Sequence, residues 1–270
     1  MSAEGEHRIG DVVLNYRLTG DGPERLVCIH GVGASLDAWN GVLAHLGGRF
    51  TVLTFDLRGH GRSSKVKGRY EIDDFADEAL ALADHVGFTD FHLAGFSLGG
   101  LIAQQIALAV PGRVRSLILL STVAGRNAEE RDRVMARLEA LKGGERGSHY
   151  DASVSRWFSD AFRERHPEIL AAMRRRNAEN DPECYAAAYR VLAETDLGDA
   201  LHDIRVPTLI ATGEFDMGSN SRMAAFMHGE IAGSELRILP NLRHSILIEA
   251  PEIVGAMMRD FLEKVETTNG

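Results

Sequence analysis

Residues 91–100 constrain this chain more than any other stretch. They read Phe91-His92-Leu93-Ala94-Gly95-Phe96-Ser97-Leu98-Gly99-Gly100. The apolar run from Phe91 to Phe96 is the pattern of a strand buried on both faces. It breaks at Ser97, held between glycines, and helical composition resumes from Leu98 to Val110. Gly95-x-Ser97-x-Gly99 is therefore expected on a sharp strand-to-helix turn. Strand and helix backbones come too close in such a turn for side chains on either side of the serine. The serine takes a strained conformation that lifts its hydroxyl above the sheet edge. The Leu98 amide, first in the helix, faces the same space. Ser97 is thus a candidate nucleophile and Leu98 a candidate oxyanion donor.

Around this turn, apolar strands alternate with helices. Residues 12–18 read as an antiparallel strand closed by a turn cluster at 19–23. Residues 25–29 read as the first buried strand, ending at the glycine-rich loop His30-Gly31-Val32-Gly33. A short helix over 35–46, a strand over 50–56 and a basic loop over 57–64 follow. A helix is expected over 70–86 and another buried strand over 114–121. The alternation predicts an α/β fold with a doubly wound, mostly parallel sheet and helices on both faces.

The pattern changes at Arg126. From there to about Ile204 the chain shows helical segments and no convincing buried strand. They are 128–141, stopped by Gly143-Gly144, then 150–162, 167–177 and 182–194, with Pro167 and Pro182 in first helical turns. The domain reading is an α/β core over 1–124 and 206–270, with a helical lid over 125–205. The core resumes with a strand over 207–213, a helix over 221–231, a strand over 235–239 and a final helix from Ala250 to about Val265.

Composition narrows the partners. The 270 residues carry a formal charge of −9. That argues against a nucleic-acid or anionic-membrane partner, which would want a basic face, though not against a small anionic substrate. Residues 1–10 are polar and acidic, and no run approaches a membrane span, so a cytoplasmic location is expected. Cys28 and Cys184 lie far apart and imply no disulfide framework. There is no H-E-x-x-H, no paired-cysteine motif and no P-loop, so no metal or cofactor is expected. The expected partner is a small-molecule substrate. Oligomeric state stays open, with homo-oligomerisation allowed.

Ligands of such sheets sit outside the carboxyl ends of the strands. Four features fall there: the His30–Gly33 loop, Ser97, Asp216 and His244. A serine hydroxyl must lose its proton as it attacks, so it needs a base. Eleven histidines are present, but only His244 follows the last strand in a loop able to reach Ser97. Asp216 is favoured to orient it, with Glu214 as the competitor two residues away. The Val32 amide is the candidate second oxyanion donor. Pocket candidates are His30, Gly31, Trp39, Phe96 and Trp157, although a tryptophan at position 39 is more often packing. Arg58 and Arg62 are expected to pair with Asp56 or backbone carbonyls. The run Arg174-Arg175-Arg176 is expected as a solvated helix face.

These residues resemble the α/β-hydrolase family over nearly the whole chain. The matching pieces are the serine turn, His30-Gly31-Val32-Gly33, the segment from Phe55 to Ser63, Gly213-Glu214-Phe215-Asp216, and His244 followed by Glu249-Ala250-Pro251-Glu252. Within the family the chain looks most like the 3-oxoadipate enol-lactonase and carboxylesterase branch, on Asn180 to Tyr189 and Thr195-Asp196-Leu197. The resemblance implies a cofactor-free serine hydrolase of small carboxylic esters or enol lactones, working through an acyl-enzyme in catabolism. It also implies alternatives on the same triad: cleavage of a C–N bond in an enamide, cleavage of a C–C bond, or a non-catalytic ligand receptor. Two departures stand out. Met217-Gly218-Ser219-Asn220 lacks the usual proline after the acid, and Arg243 precedes the histidine. A serine at position 97 rather than an aspartate argues against epoxide hydrolase and dehalogenase chemistry.

Overall fold

The computed structural model describes residues 2–141 and 148–269. The chain runs β1 (Ser2–Ile9), β2 (Val12–Thr19), β3 (Glu24–Ile29), a 3-10 turn (Leu36–Trp39) leading into α1 (Asn40–Leu43), β4 (Phe50–Phe55), α2 (Ile72–His85), β5 (Phe91–Phe96), α3 (Leu98–Ala109) and β6 (Val114–Leu120). Five helices follow: α4 (Ala128–Leu141), α5 (Ser148–Trp157), α6 (Asp160–Arg165), α7 (Pro167–Ala178) and α8 (Pro182–Glu194). The chain then returns through β7 (Thr208–Gly213), α9 (Ser221–Glu230), β8 (Glu235–Leu239), α10 (Ile246–Glu249) and α11 (Pro251–Asn269). The expected break at Gly143-Gly144 lies outside the described residues. Among the described residues, no helix is long and apolar enough to cross a membrane.

The strands form one eight-stranded sheet in the order β1-β2-β4-β3-β5-β6-β7-β8. Every pairing from β4 through β8 is parallel, and β2 joins both β1 and β4 antiparallel. Strand alternation explains why these segments read as unbroken apolar runs. Val27 and Ile29 of β3, with Leu117 and Leu119 of β6, join α2, α3 and α9 in one buried layer. Leu26 and Cys28, with Ile118 and Leu120, join Trp39, Val42 and α11 in the other. Both faces of the sheet are therefore covered, as a parallel sheet requires.

Strand β1 departs from the sequence reading, which assigns no element to residues 1–10. It is a polar edge strand, largely exposed, so hydrogen bonding to β2 holds it rather than burial. The available sign is Gly10-Asp11, a two-residue connection of hairpin type with Gly10 at φ 60°. The single helix expected over 150–162 is also broken. Ser159 caps α6 by accepting from the Phe162 amide at 3.2 Å, and Phe158 just before it is fully buried. Helix α8 seats Cys184, Ala187, Ala188 and Val191 in the first buried layer, which anchors the inserted helices on the sheet's carboxyl side.

Candidate active site

The site is built on the turn between β5 and α3. Ser97 sits at φ 56°, ψ −117°, a region that non-glycine residues rarely adopt. Its amide donates to the Leu120 carbonyl at 2.9 Å, and its carbonyl accepts from the Thr122 hydroxyl at 2.8 Å. These bonds hold the strained residue in place. A Cβ on Gly95 would run into the Gly99 carbonyl, and one on Gly99 into the Ile29 and His30 carbonyls. The flanking glycines thus let β5, α3 and the end of β3 close up behind the serine.

His244 and Asp216 arrive from loops after β8 and β7. His244 Nδ1 lies 2.7 Å from Asp216 Oδ2, and its Nε2 lies 3.2 Å from Ser97 Oγ. A carboxylate can only accept, so Nδ1 carries the proton and Nε2 is left to accept from the serine hydroxyl. The Phe96 ring sits against the imidazole at 5.1 Å. Asp216 Oδ1 accepts from the Gly218 and Ser219 amides at 2.8 and 2.9 Å. Burial alone would raise the Asp216 carboxyl; the electrostatic pull and hydrogen bond of the His244 ring and these two amides outweigh it and hold it below the usual carboxylate range. The proline-free Met217–Asn220 segment thus supplies its amides to the acid. The competitor Glu214 points elsewhere, with Oε2 accepting from the Asn241 amide at 3.0 Å.

The Leu98 amide opens α3 and has no partner within its own helix. The Gly31 backbone lies close enough to Ser97 that a Cβ there would stand 2.9 Å from the serine Cβ. Val32 therefore follows a loop in contact with the serine. Val32, Gly31, Phe96 and Trp157 line a cavity of about 480 Å³ that also exposes Ser97, Asp216 and His244.

His30 and Trp39 do not line that cavity, contrary to the expectation from sequence. Trp39 is fully buried in the core beneath it. His30 is equally buried and accepts the Leu57 amide at Nε2, 3.0 Å away. Its Nδ1 then donates to the Gly31 carbonyl at 2.7 Å. Burial pushes its pKa down to about 4, against the opposing pull of Asp56. A neutral His30 thus braces the loop that carries Val32.

The arginines also differ from expectation. Asp56 accepts from Asn15 Nδ2 and from the Leu36 and Arg62 amides, each at 2.8 Å. Arg58 pairs instead with Glu78 and Asp74, and the Arg62 side chain reaches Glu4 and Asn15. On α7, Arg174 pairs with Asp151 in solvent, but Arg176 turns inward and lines the cavity.

Arg243 is a positioning residue that sequence reasoning leaves unassigned. It bonds the Ser155 carbonyl, the Phe158 carbonyl at 3.2 Å and Asp160 at 3.1 Å. The Ser245 amide donates to the Trp157 carbonyl at 2.9 Å. The loop carrying His244 is thereby fastened to α5 and α6.

For metals, Glu24, His92 and Glu266 place ligand atoms within 4.8 Å of one another. They lie at the opposite end of the strands from Ser97, and Arg115 bridges the two carboxylates.

A family model described as alpha/beta hydrolase fold matches residues 24–251. An Acinetobacter baylyi protein named (E)-2-((N-methylformamido)methylene)succinate hydrolase is 31% identical over 92% of this chain and 94% of its own length. The 3-oxoadipate enol-lactonase 2 of the same organism is 30% identical over 93% and 95%. The solved structure of the enol-lactonase from Burkholderia xenovorans LB400 superposes with a TM-score of 0.90 at 26% identity, covering 96% of this chain and 100% of that one.

Proposed function

The chain belongs to the α/β-hydrolase fold family, and from that premise we propose that it is a serine hydrolase of small carboxylic esters or enol lactones. The observation that carries the reading is the unbroken run of contacts Ser97 Oγ to His244 Nε2 to His244 Nδ1 to Asp216 Oδ2. His244 takes the serine proton as Oγ attacks the acyl carbonyl. The Val32 and Leu98 amides hold the oxygen as it gains charge, worth about 3 kcal/mol per donor in comparable sites. Collapse expels the alcohol or enol, to which His244 returns the proton, and leaves an acyl group on Ser97. Water, deprotonated by the same imidazole, then frees the acid. Asp216 stays ionised and keeps the imidazole in the tautomer that can accept. Residues 125–205 act as a lid over this core, and a cavity of about 480 Å³ sets the substrate's size.

One observation favours a second reading on the same side chains. The relative at 31% identity is named for a compound bearing an N-methylformamido group on a methylene carbon. Cleavage of a C–N bond would need the same nucleophile, base and oxyanion donors. Measuring an enamide beside an ester separates the two.

The direct test is Ser97→Ala. It is expected to fold as the parent does and to lose p-nitrophenyl acetate turnover by about 10⁴ or more. Turnover within tenfold of the parent would remove the serine from the mechanism.

A further inference from the structure

A second hollow adjoins the cavity over Ser97. Arg156, Asp216 and Met217 line both. Helices α5 and α6 form one side of the hollow, through Ser155, Asp160 and Arg163. The loops after β7 and β8 form the other, through Phe215, Met217 and Arg243. Met217, which opens the proline-free segment, and Arg243 are also the two places where the sequence departs from the family pattern.

The hollow has an apolar rim that the fold does not require. Among the described residues, the three most exposed large apolar side chains are Met217 at 62%, Ile253 at 58% and Phe215 at 53%. Two of the three flank Asp216. With the Asp216 carboxylate turned in to His244, the side chains on either side of it face outward. Holding that carboxylate takes the Gly218 and Ser219 amides, and the Phe215 amide bonds the Leu242 carbonyl at 2.9 Å. These are backbone contacts, and polar side chains at 215 and 217 would keep them. Apolar surface exposed beside a site marks contact with an apolar ligand.

The charged groups across the hollow already have partners. Asp160 bonds Arg163 at 2.6 Å and Arg243 at 3.1 Å. Arg243 also bonds the Ser155 and Phe158 carbonyls, and Arg156 the Ala152 carbonyl and the Ser153 hydroxyl.

The chemistry says which part of a substrate points this way. The leaving oxygen must lie beside His244 Nε2 to receive its proton. The alcohol part of an ester therefore departs on the side of His244 and Asp216, which is the side the hollow adjoins. We propose that the hollow receives the leaving group, with Met217 and Phe215 as its apolar seat, so that the compound cleaved is an ester of an alcohol or phenol with an apolar body. A lactone's leaving oxygen stays tethered to its acyl chain and gives such a seat nothing separate to hold. The proposal rests on the hydrolase reading for Ser97 and narrows it to esters.

The test holds the acyl group constant. Ethyl acetate and hexyl acetate pass through the same acetyl-enzyme, and their alkoxides are nearly equal as leaving groups. Only the alcohol's contact with the protein differs. The parent is expected to favour hexyl acetate in kcat/KM by about tenfold or more, carried by KM, the range for partly burying four methylenes. That ratio is expected to fall by about fivefold or more in Met217→Ser and by about threefold or more in Phe215→Ser. Met217→Leu should keep it. So should Ile253→Ser, whose side chain is as exposed but stands in the first turn of α11. Ethyl hexanoate carries the same four methylenes on the acyl side, and its rate relative to ethyl acetate should not change in Met217→Ser. Parity of hexyl and ethyl acetate in the parent overturns the proposal. So does a ratio unmoved by both serine changes, or a Met217→Ser loss confined to ethyl hexanoate. A second readout needs no turnover. In protein carrying methyl-13C methionine, hexan-1-ol should shift the Met217 methyl resonance, identified by its absence in Met217→Leu. If the parent cleaves none of the esters, the hydrolase reading fails. The titration then decides the hollow by itself: a shifted Met217 resonance upholds it, and an unmoved one overturns it.

Discussion

The turn at Ser97 and the helices between β6 and β7 meet at one cavity and are built in opposite ways. The turn is backbone against backbone. Gly95, Ser97 and Gly99 are buried, and what surrounds them is largely carbonyl oxygen and amide from β3, β6 and α3. The inserted helices reach the cavity with long side chains: arginines from α4, α5 and α7, Trp157 from α5, and tyrosines from α8. A backbone junction has one arrangement, so it can fix a hydroxyl to within a fraction of an ångström. A wall of long side chains can be re-lined by substitution without moving the sheet. In the proposed enzyme the first region supplies the chemistry and the second chooses the compound.

Changing Gly99 should give the largest effect on stability. A Cβ at position 99 would overlap the Ile29 and His30 backbones at the end of β3. Neither can withdraw without unpairing β3 from β5. Gly99→Ala is expected to cost about 3 kcal/mol or more in urea unfolding, the upper range for overpacking. Gly112→Ala, with nothing within 4 Å of its Cβ, should stay within about 0.5 kcal/mol of the parent. Equal midpoints for the two variants would show that the junction is looser than its geometry.

The same contrast governs what can be read from sequence. The turn is legible because close backbone approach demands glycine and burial demands apolar runs, and both leave marks at fixed positions. Asp216 and His244 are legible because each follows a core strand. The wall is not. Arg174, Arg175 and Arg176 are chemically identical, and only the docking of α7 turns the last one inward. His30 sits in the glycine-rich loop, so sequence assigns it to the pocket. Its ring turns away because Leu57 and Gly31 offer an amide and a carbonyl that a neutral imidazole can satisfy. Strand β1 escapes notice because an edge strand has no buried face to impose a pattern.

Glu130 gives an intermediate effect. It opens α4 and accepts from Asn220, from Arg222 and from the Asn127 amide at 2.8 Å, tying the inserted helices to α9. Burial would raise its carboxyl, but the Arg222 and Asn220 hydrogen bonds dominate and bring it down to about 2. A carboxyl lower in the folded than in the unfolded chain stabilises above the unfolded value, and that contribution fades as pH falls through the folded one. Glu130→Gln is therefore expected to cost about 1–3 kcal/mol at pH 7. The gap between the urea midpoints of variant and parent should narrow as pH falls from about 5 towards 2. A gap independent of pH would mean that the side chain acts by shape rather than by charge.

Arg174 should show the smallest effect and is the control for the wall. It stands two positions before Arg176 on α7, and its guanidinium bonds both oxygens of Asp151 at 2.8 and 2.7 Å. By distance alone this is a better ion pair than any contact Arg176 makes. Both partners are exposed, however, so water solvates each charge nearly as well apart as together, and holding two long side chains costs entropy. Arg174→Gln is expected to melt within about 1 °C of the parent. Arg176→Gln, by contrast, removes a cation whose Nε is buried without a partner and is expected to move the melting temperature by about 2 °C or more. Differential scanning calorimetry of both variants separates the two positions. If Arg174→Gln shifts the melting temperature as much as Arg176→Gln does, exposure does not distinguish them, and the division between a solvated outer face and a charged inner wall on α7 has to be abandoned.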